Sequence, residues 1–313
     1  MLSRVAETIY WMHRYRERAE NTGRLLEVNL HLSIDSPIEV GNQWEPMVQT
    51  TNGQELFNAK YTKSTRDNVI RFLTFDLENP NSILSCLKKA RENARSIRET
   101  IATEIWDEIN TAYLFCQKAS ETKKNADTSY SLFNRIKRQC QLITAVADTC
   151  MSHDEAWHFG RMGNLIERAD MTTRMLDVKY FMLLESPTDI GSPFDNIQWV
   201  ALLKSASAMQ MYRKEWHLVK PHRIVDFLIL HKTFPRAVFS CLDRLEQSLA
   251  IVSASETEKT DRHPHALSQA FLKALAQLNG ESIVAQGLHE FIEKLQEQLD
   301  DIDRAIFQHY FFI

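Results

Sequence analysis

Apolar and small residues recur in steps of three and four from the second residue onward: Leu2, Val5, Ile9, Met12, Ala19, Gly23, Leu26 and Leu30. That spacing predicts one long amphipathic helix over residues 2–30, broken on its apolar stripe only at Arg16. Tyr10, Leu25 and Val28 add apolar surface on another side, so the helix should be covered on more than one face and stand centrally. Ser33, Asp35, Ser36 and Pro37 should end it, because proline cannot continue the hydrogen-bond ladder and disfavours helix in the residue before it.

The same period continues along the chain. Residues 35–53 hold two prolines and two glycines and read as a connection with a short helical turn near Trp44–Val48. Short helices follow over Gln54–Tyr61 and from Thr65 or Arg66 to about Leu77, with Asn79–Ser82 as a break and helix cap. From Ser82 to about Lys118 there is neither glycine nor proline, and the segment is helical in pattern. Residues 119–130 are a polar connection, Ser131–Met151 a helix, and a second long helix runs from near Asp154 to Leu184. A breaker cluster at 185–193 precedes a helix over Phe194–Trp216. Pro221 suits the first position of the next helix, and Pro235 implies a sharp helix-to-helix turn. Residues 253–264 read as a loop, and two last helices cover Ala266–Leu278 and Ile283–Tyr310. Phe307, Tyr310, Phe311, Phe312 and Ile313 make an apolar end that must dock on something. With only 8 Gly and 8 Pro in 313 residues, well under the average usage of about 7% and 5%, the pattern predicts an all-α multi-helix bundle.

The two longest helices share a phrase. Residues 11–30 and 161–180 align at an offset of 150 with eight identities in twenty positions: Met12/Met162, Glu17/Glu167, Arg18/Arg168, Ala19/Ala169, Thr22/Thr172, Arg24/Arg174, Leu26/Leu176 and Val28/Val178. This internal echo predicts pseudo-repeat halves of about 1–150 and 151–313 within a single domain. Glu17 and Arg24, seven residues apart, stand on nearly the same helical stripe, as do Glu167 and Arg174.

Charge narrows the function classes. Lysine and arginine total 37 against 41 acidic residues, giving −4 with neither sign gathered into a block, which disfavours nucleic acid and anionic membrane as partners. Five cysteines without a CxxC pair fit reduced, mostly buried thiols. No stretch reaches the ~18 apolar residues of a spanning helix and no signal-like start is present, so a soluble cytoplasmic protein is expected.

Two readings of the repeated Glu/Arg residues remain open. In one, Glu17, Arg24, Glu167 and Arg174 pair between packed helices and fix their register. In the other they converge on a polar cavity, where Glu17 and Glu167 act as catalytic carboxylates and Arg24 and Arg174 hold an anionic substrate. Arg91, Arg95 and Arg98, at i, i+4 and i+7, should share a face that is either a solvated salt-bridged surface or an Arg-lined wall for an anion. Glu155 and His158 form the chain's one Glu-x-x-His pair; with no second copy, a dinuclear carboxylate site is not expected, and no metal or cofactor is assigned. Phosphate loops, GxGxxG and GxSxG are absent, so ATP binding by this chain alone has no recognised motif.

The opening MLSRVAETIYWMHRYRERAENTGRLL, the ARENARSIRETIATEIWDEIN helix, the segment FGRMGNLIERADMTTRMLDVKY and the stretch FLILHKTFPRAVFSCLD, in that order, resemble the bacterial alpha-E domain proteins. The resemblance covers nearly the whole chain. It implies an all-α fold and an intracellular bacterial protein associated with circularly permuted ATP-grasp proteins and transglutaminase-like proteases, neighbours that suggest a system forming and trimming amide bonds in peptides. Residue by residue it marks Arg14, Glu17, Arg18, Arg91, Glu92, Asn93, Arg95, Arg98, Glu167, Arg168, Asp170, Pro235 and Arg236. His13 and His231 depart from the Gly and Asp that family members often carry there. The function these signs suggest is a helical partner or accessory enzyme of an ATP-grasp amide ligase. Arg14, Arg18, Asn93, Arg168 and Arg236 would join the other arginines in binding a peptide or amino-acid substrate. A non-catalytic scaffold and a metal-dependent helical enzyme are the alternatives.

Overall fold

A computed structural model of the chain describes residues 1–35, 44–121, 126–182, 193–254, 256 and 262–312. About 80% is helical, and no strand occurs among the described residues. The chain divides into two compact units, one of Trp11–Trp157 and one of Met1–Tyr10 with His158–Ile313. Helix α1 (Ser3–Asp35) therefore contributes its first residues to the second unit and the rest to the first.

In the Trp11–Trp157 unit, α2 (Glu45–Thr50), α3 (Gln54–Lys60) and α4 (Arg66–Thr74) lead to a hairpin of α5 (Ile83–Ser96) and α6 (Thr103–Glu121), followed by α7 (Ala126–Cys150). Ser82 caps α5 as its sequence suggests, its hydroxyl accepting from the Ser85 N–H at 3.1 Å. Phe57, Phe72, Leu87, Ile105, Ile109, Phe133 and Ile136 are wholly buried. At Gly23, α1 lies against Ile83 of α5 and Ile136 of α7. Two boundaries differ from the sequence reading. Helix α7 begins five residues before Ser131, and the Gly- and Pro-free run after Ser82 is not continuous. It breaks at Ile97, whose φ of −124° leaves the helix; burying Ile97 and Ile101 turns the chain back so that α6 can pack on α5.

The second unit continues with α8 (Glu155–Met182), α9 (Pro193–Ser205), α10 (Met209–Glu215) and α11 (Pro221–Val225), the last passing into a π-helical turn over Asp226–Leu230. Then come α12 (Val238–Val252), α13 (Pro264–Leu275), α14 (Gly280–Gln286) and α15 (Leu288–Ile306), which ends in a second π-helical turn, Phe307–Phe311. Pro221 does open α11, and Pro235 falls in the turn where His231 Nδ1 accepts the N–H groups of Thr233 and Phe234. Two helices that the pattern joins are separate. Ser207 takes a left-handed φ of 52° between α9 and α10, and Gly287 takes +102° between α14 and α15. Asp154 caps α8 as expected, accepting from the Ala156 N–H at 3.0 Å. Phe311 is buried against Tyr10 and Phe159, so part of the apolar C-terminal end docks within its own unit while Phe312 stays exposed. Pro37, Leu184, the 185–192 breakers, half of the 253–264 loop and Ile313 lie outside the described residues.

Candidate functional site

The most buried charges of the Trp11–Trp157 unit stand on α1. Arg16 donates to Glu17 Oε2 and to Glu20 Oε2, both at 2.8 Å, and reaches the Cys140 carbonyl of α7 at 3.5 Å. Arg24 bonds the other oxygen of Glu20 and donates to Asn21 Oδ1 at 3.3 Å. One carboxylate thus bridges two guanidiniums four residues to either side, and every one of these charged side chains is at most 2% exposed. Beside them His13 is buried and its pKa is pushed down to about 3 by that burial and then by Arg16, with Glu17 opposing. Arg14 is buried with its guanidinium 4.8 Å over Trp11. Arg18 leaves the cluster and donates to Asn81 Oδ1 at 2.8 Å, tying α1 to the turn before α5. Near its end, α1 is held to α7 by Lys137 and Asn134, which both donate to Glu27.

The corresponding stretch of α8 is built differently. Glu167 is buried to 1%, as Glu17 is to 0%. Arg174 binds both oxygens of Asp170 through Nε, at 2.8 and 2.9 Å, in a pair 24% and 18% exposed. Burial works against the Arg174 charge, but Asp170, then Glu167 and Asp300, hold its pKa above the ordinary value. The place of Arg16 is taken by Ile166, a buried apolar residue. Arg168 is partly exposed, and its carbonyl accepts from Thr172 Oγ1, which also donates to the Arg236 carbonyl at 3.0 Å. Arg236 is thereby pinned to α8 through its backbone. Gln296 of α15 donates to Thr173, and His289 of α15 bonds Asp177, which raises the His289 pKa. In both phrases, then, arginine pairs with the acid one turn before it, Glu20 or Asp170.

Arg91, Arg95 and Arg98 do not share one helical face. Arg98 lies beyond the end of α5, in the turn to α6, so the i+7 relation fails there. The hairpin gathers two of the arginines on aromatic rings of α6 instead. Arg98 stands 4.0 Å over Trp106, and Arg91 stands 5.6 Å from Trp106 and 5.1 Å from Tyr113. Arg91 donates to Asn110 Oδ1 at 2.7 Å, and Glu92 bridges Arg91 and the exposed Arg95. Asn93 is partly exposed, and its carbonyl accepts from Ser96 Oγ. Arg98 is exposed and has no ion pair among the described residues.

Of the weighed metal pair, Glu155 is exposed while His158 is buried, its Nδ1 3.2 Å from Ser248 Oγ. Neither belongs to a gathered group of His, Cys, Asp or Glu ligand atoms among the described residues. All five cysteines are free, and only Cys150 is exposed. Burial pushes the Cys116 thiol up to about 12. No helix of the described residues is long and apolar enough to cross a membrane. Sequence reasoning missed Arg16 and Glu20, the centre of the α1 cluster. Their signal was the i, i+4, i+8 spacing of Arg16, Glu20 and Arg24, with Arg16 standing on an otherwise apolar stripe.

Comparison with known proteins agrees with this repeated Glu-Arg architecture. Residues 1–311 match the Alpha-E family, described as a predicted alpha-helical domain with a conserved ER motif; the Glu-Arg dipeptides of this chain are residues 17–18 and 167–168. Among curated proteins it is similar to an uncharacterized protein of Mycobacterium bovis, 23% identical over 195 residues, 55% of this chain and 22% of that protein. Uncharacterized proteins of two Mycobacterium tuberculosis strains match over the same lengths at 23% and 22% identity. The match thus spans about a fifth of the length of these relatives, and no solved structure matches. With nearly its whole length matched by that family's model, the chain belongs to the Alpha-E family.

Proposed function

We propose that the chain is a helical accessory component of an ATP-grasp amide ligase system and binds the carboxylate of a peptide or amino-acid substrate on the α5–α6 hairpin. The observation that carries this reading is Arg98: exposed, 4.0 Å over Trp106 and without an ion pair among the described residues. A guanidinium whose face is covered by an indole keeps its in-plane N–H groups for a carboxylate, and stacking holds the fork in place beforehand. Arg91, stacked between Trp106 and Tyr113, adds a second cation to the same strip. ATP chemistry comes from the circularly permuted ATP-grasp partner, and a transglutaminase-like protein is the functional associate that trims amides.

The buried Glu/Arg sets take a different part in this reading. Glu17 and Glu167 are closed to solvent, and Glu17 is engaged by Arg16, so each serves the framework of its own unit. The test is reconstitution with the ATP-grasp neighbour and mass spectrometry of ATP-dependent products. Arg98→Ala and Trp106→Ala should lower product formation about 10-fold or more at a melting temperature within 2 °C of the parent. Undiminished product from both variants would exclude the hairpin as the binding face.

A further inference from the structure

Three side chains from distant parts of the chain meet beside the start of α13. Glu256 follows α12, His263 is the residue before α13, and His309 lies in the π-helical turn that ends α15. Glu256 Oε2 is 2.7 Å from His263 Nε2 and 3.1 Å from His309 Nε2, and the three ligand atoms all lie within 4.8 Å of one another. The imidazoles stand edge to face, with centroids 4.5 Å apart and planes at 75°, so their nitrogens reach the carboxylate from different directions. We propose that Glu256, His263 and His309 form a mononuclear zinc site whose fourth ligand is water.

The distances support this directly. Tetrahedral zinc with bonds of about 2.0 Å sets its ligand atoms about 3.3 Å apart. The 3.1 Å separation is already close to that, and the 2.7 Å one has to open by roughly half an ångström to admit an ion. Two imidazoles and one carboxylate are also the donor set that zinc accepts while keeping a position open; magnesium and calcium prefer oxygen ligands throughout. Exposure is graded across the site. His263 is 2% exposed, Glu256 27% and His309 38%, so the cluster is anchored on one side and open to an entering ion and a water on the other. The π-helical turn contributes as well, because its extra residue re-aims side chains relative to a regular helix, and such turns gather at functional positions.

Loading rearranges protons without oxidation or reduction. His263 Nδ1 accepts the His265 N–H at 3.2 Å, which puts the ring proton on Nε2, facing Glu256. With zinc on Nε2 the proton moves to Nδ1, and the cap hydrogen bond at the start of α13 is given up. His309, which faces Glu256 through Nε2, makes the same exchange. The nearby His265 is not a ligand: its Nε2 is engaged by Glu246 at 2.8 Å.

The untagged full chain, treated with chelator and desalted, would be titrated with Co²⁺ and followed by visible absorption. One equivalent should produce the intense bands of tetrahedral cobalt, and Zn²⁺ should displace it. Glu256→Gln and His309→Ala should each weaken Co²⁺ at least about 100-fold, more than loss of an outer partner would, with unchanged circular dichroism. His217→Ala, at an exposed histidine outside the cluster, should leave affinity unaltered. No one-to-one tetrahedral spectrum, or one that Glu256→Gln and His309→Ala leave intact, would overturn the site and reduce the cluster to a hydrogen-bonded latch. His263→Ala is left aside because its buried ring also caps α13.

Discussion

Replacing Glu20 by Gln tests whether the α1 charges hold the helix as a unit. Glu20 accepts from Arg16 on one oxygen and from Arg24 and Gln141 on the other. A glutamine is isosteric, but whichever way its amide is turned, its NH₂ faces a donor: Arg16 in one orientation, Arg24 and Gln141 in the other. The substitution therefore loses a charge and sets donor against donor where every charged side chain is at most 2% exposed. Breaking a buried pair from one side costs about 3–5 kcal/mol. The matching change on α8, Asp170→Asn, touches one pair that is 18% and 24% exposed and should cost about 1 kcal/mol, since water compensates. For a unit of this size a kilocalorie moves the melting temperature by about 2–4 °C, so Glu20→Gln should lower it by about 10 °C and Asp170→Asn by about 3 °C. Urea unfolding followed by circular dichroism gives the free energies, provided the slope with denaturant is the same in parent and variants. Equal losses from the two substitutions, or a Glu20→Gln loss under 1 kcal/mol, would refute the account of α1 as the more tightly clamped helix.

Gly280→Ala should also be damaging, because a Cβ there would sit 2.1 Å from the His222 carbonyl oxygen and 2.9 Å from Asp226 Cβ. Helices α11 and α14 would have to separate, at a cost of about 3 kcal/mol; a melting temperature within 2 °C of the parent would show that they do not need this approach. Acid should act through His13. Folded, it takes a proton only near 3, whereas an unfolded histidine does so near 6.5. Between those values the unfolded chain binds more protons, so stability falls as pH drops, by up to about 1.4 kcal/mol per pH unit. His13→Gln should flatten the stability profile between pH 5 and 6.5, and an unchanged slope would place the acid sensitivity elsewhere.

Helix identity was legible from local chemistry wherever the chain supplied its own punctuation. Ser82, Asp154 and Pro221 start helices for reasons contained in two or three residues: an oxygen that accepts an N–H, or a ring already set at helical φ. The breaks at Ile97 and Ser207 have no such mark. Ile97 leaves the helix as it and Ile101 bury themselves, and Ser207 adopts φ of 52° while Ala208 N–H bonds the Leu203 carbonyl. Those are consequences of packing, which periodicity along one helix does not contain. The Arg98–Trp106 contact is hidden for the same reason, since it needs the turn that the pattern missed. Glu256, His263 and His309 lie 7 and then 46 residues apart, a spacing that signals nothing until α12, α13 and α15 are brought together.

The repeated phrase changes meaning once its contacts are known. Its Glu-Arg dipeptides suggested one site displayed twice, yet the interaction the two copies share is a one-turn clamp: Glu20 with Arg24, Asp170 with Arg174. The difference between the copies is equally informative. Arg16 supplies α1 with a second guanidinium, so Glu17 and Glu20 can be buried completely and remain compensated; Ile166 at the equivalent place of α8 adds apolar packing and no charge. A duplicated catalytic carboxylate would need similar polar surroundings in both copies, because its protonation is set by the charges around it. A duplicated helix-packing device needs only the same apolar stripe and an acid–arginine pair in register. Met12/Met162, Ala19/Ala169 and Leu26/Leu176, spaced by seven, supply that stripe in both helices. The repeat thus supplies a helix-packing device to both helices, while the stacked arginines of the α5–α6 hairpin and the Glu256–His263–His309 cluster lie outside it.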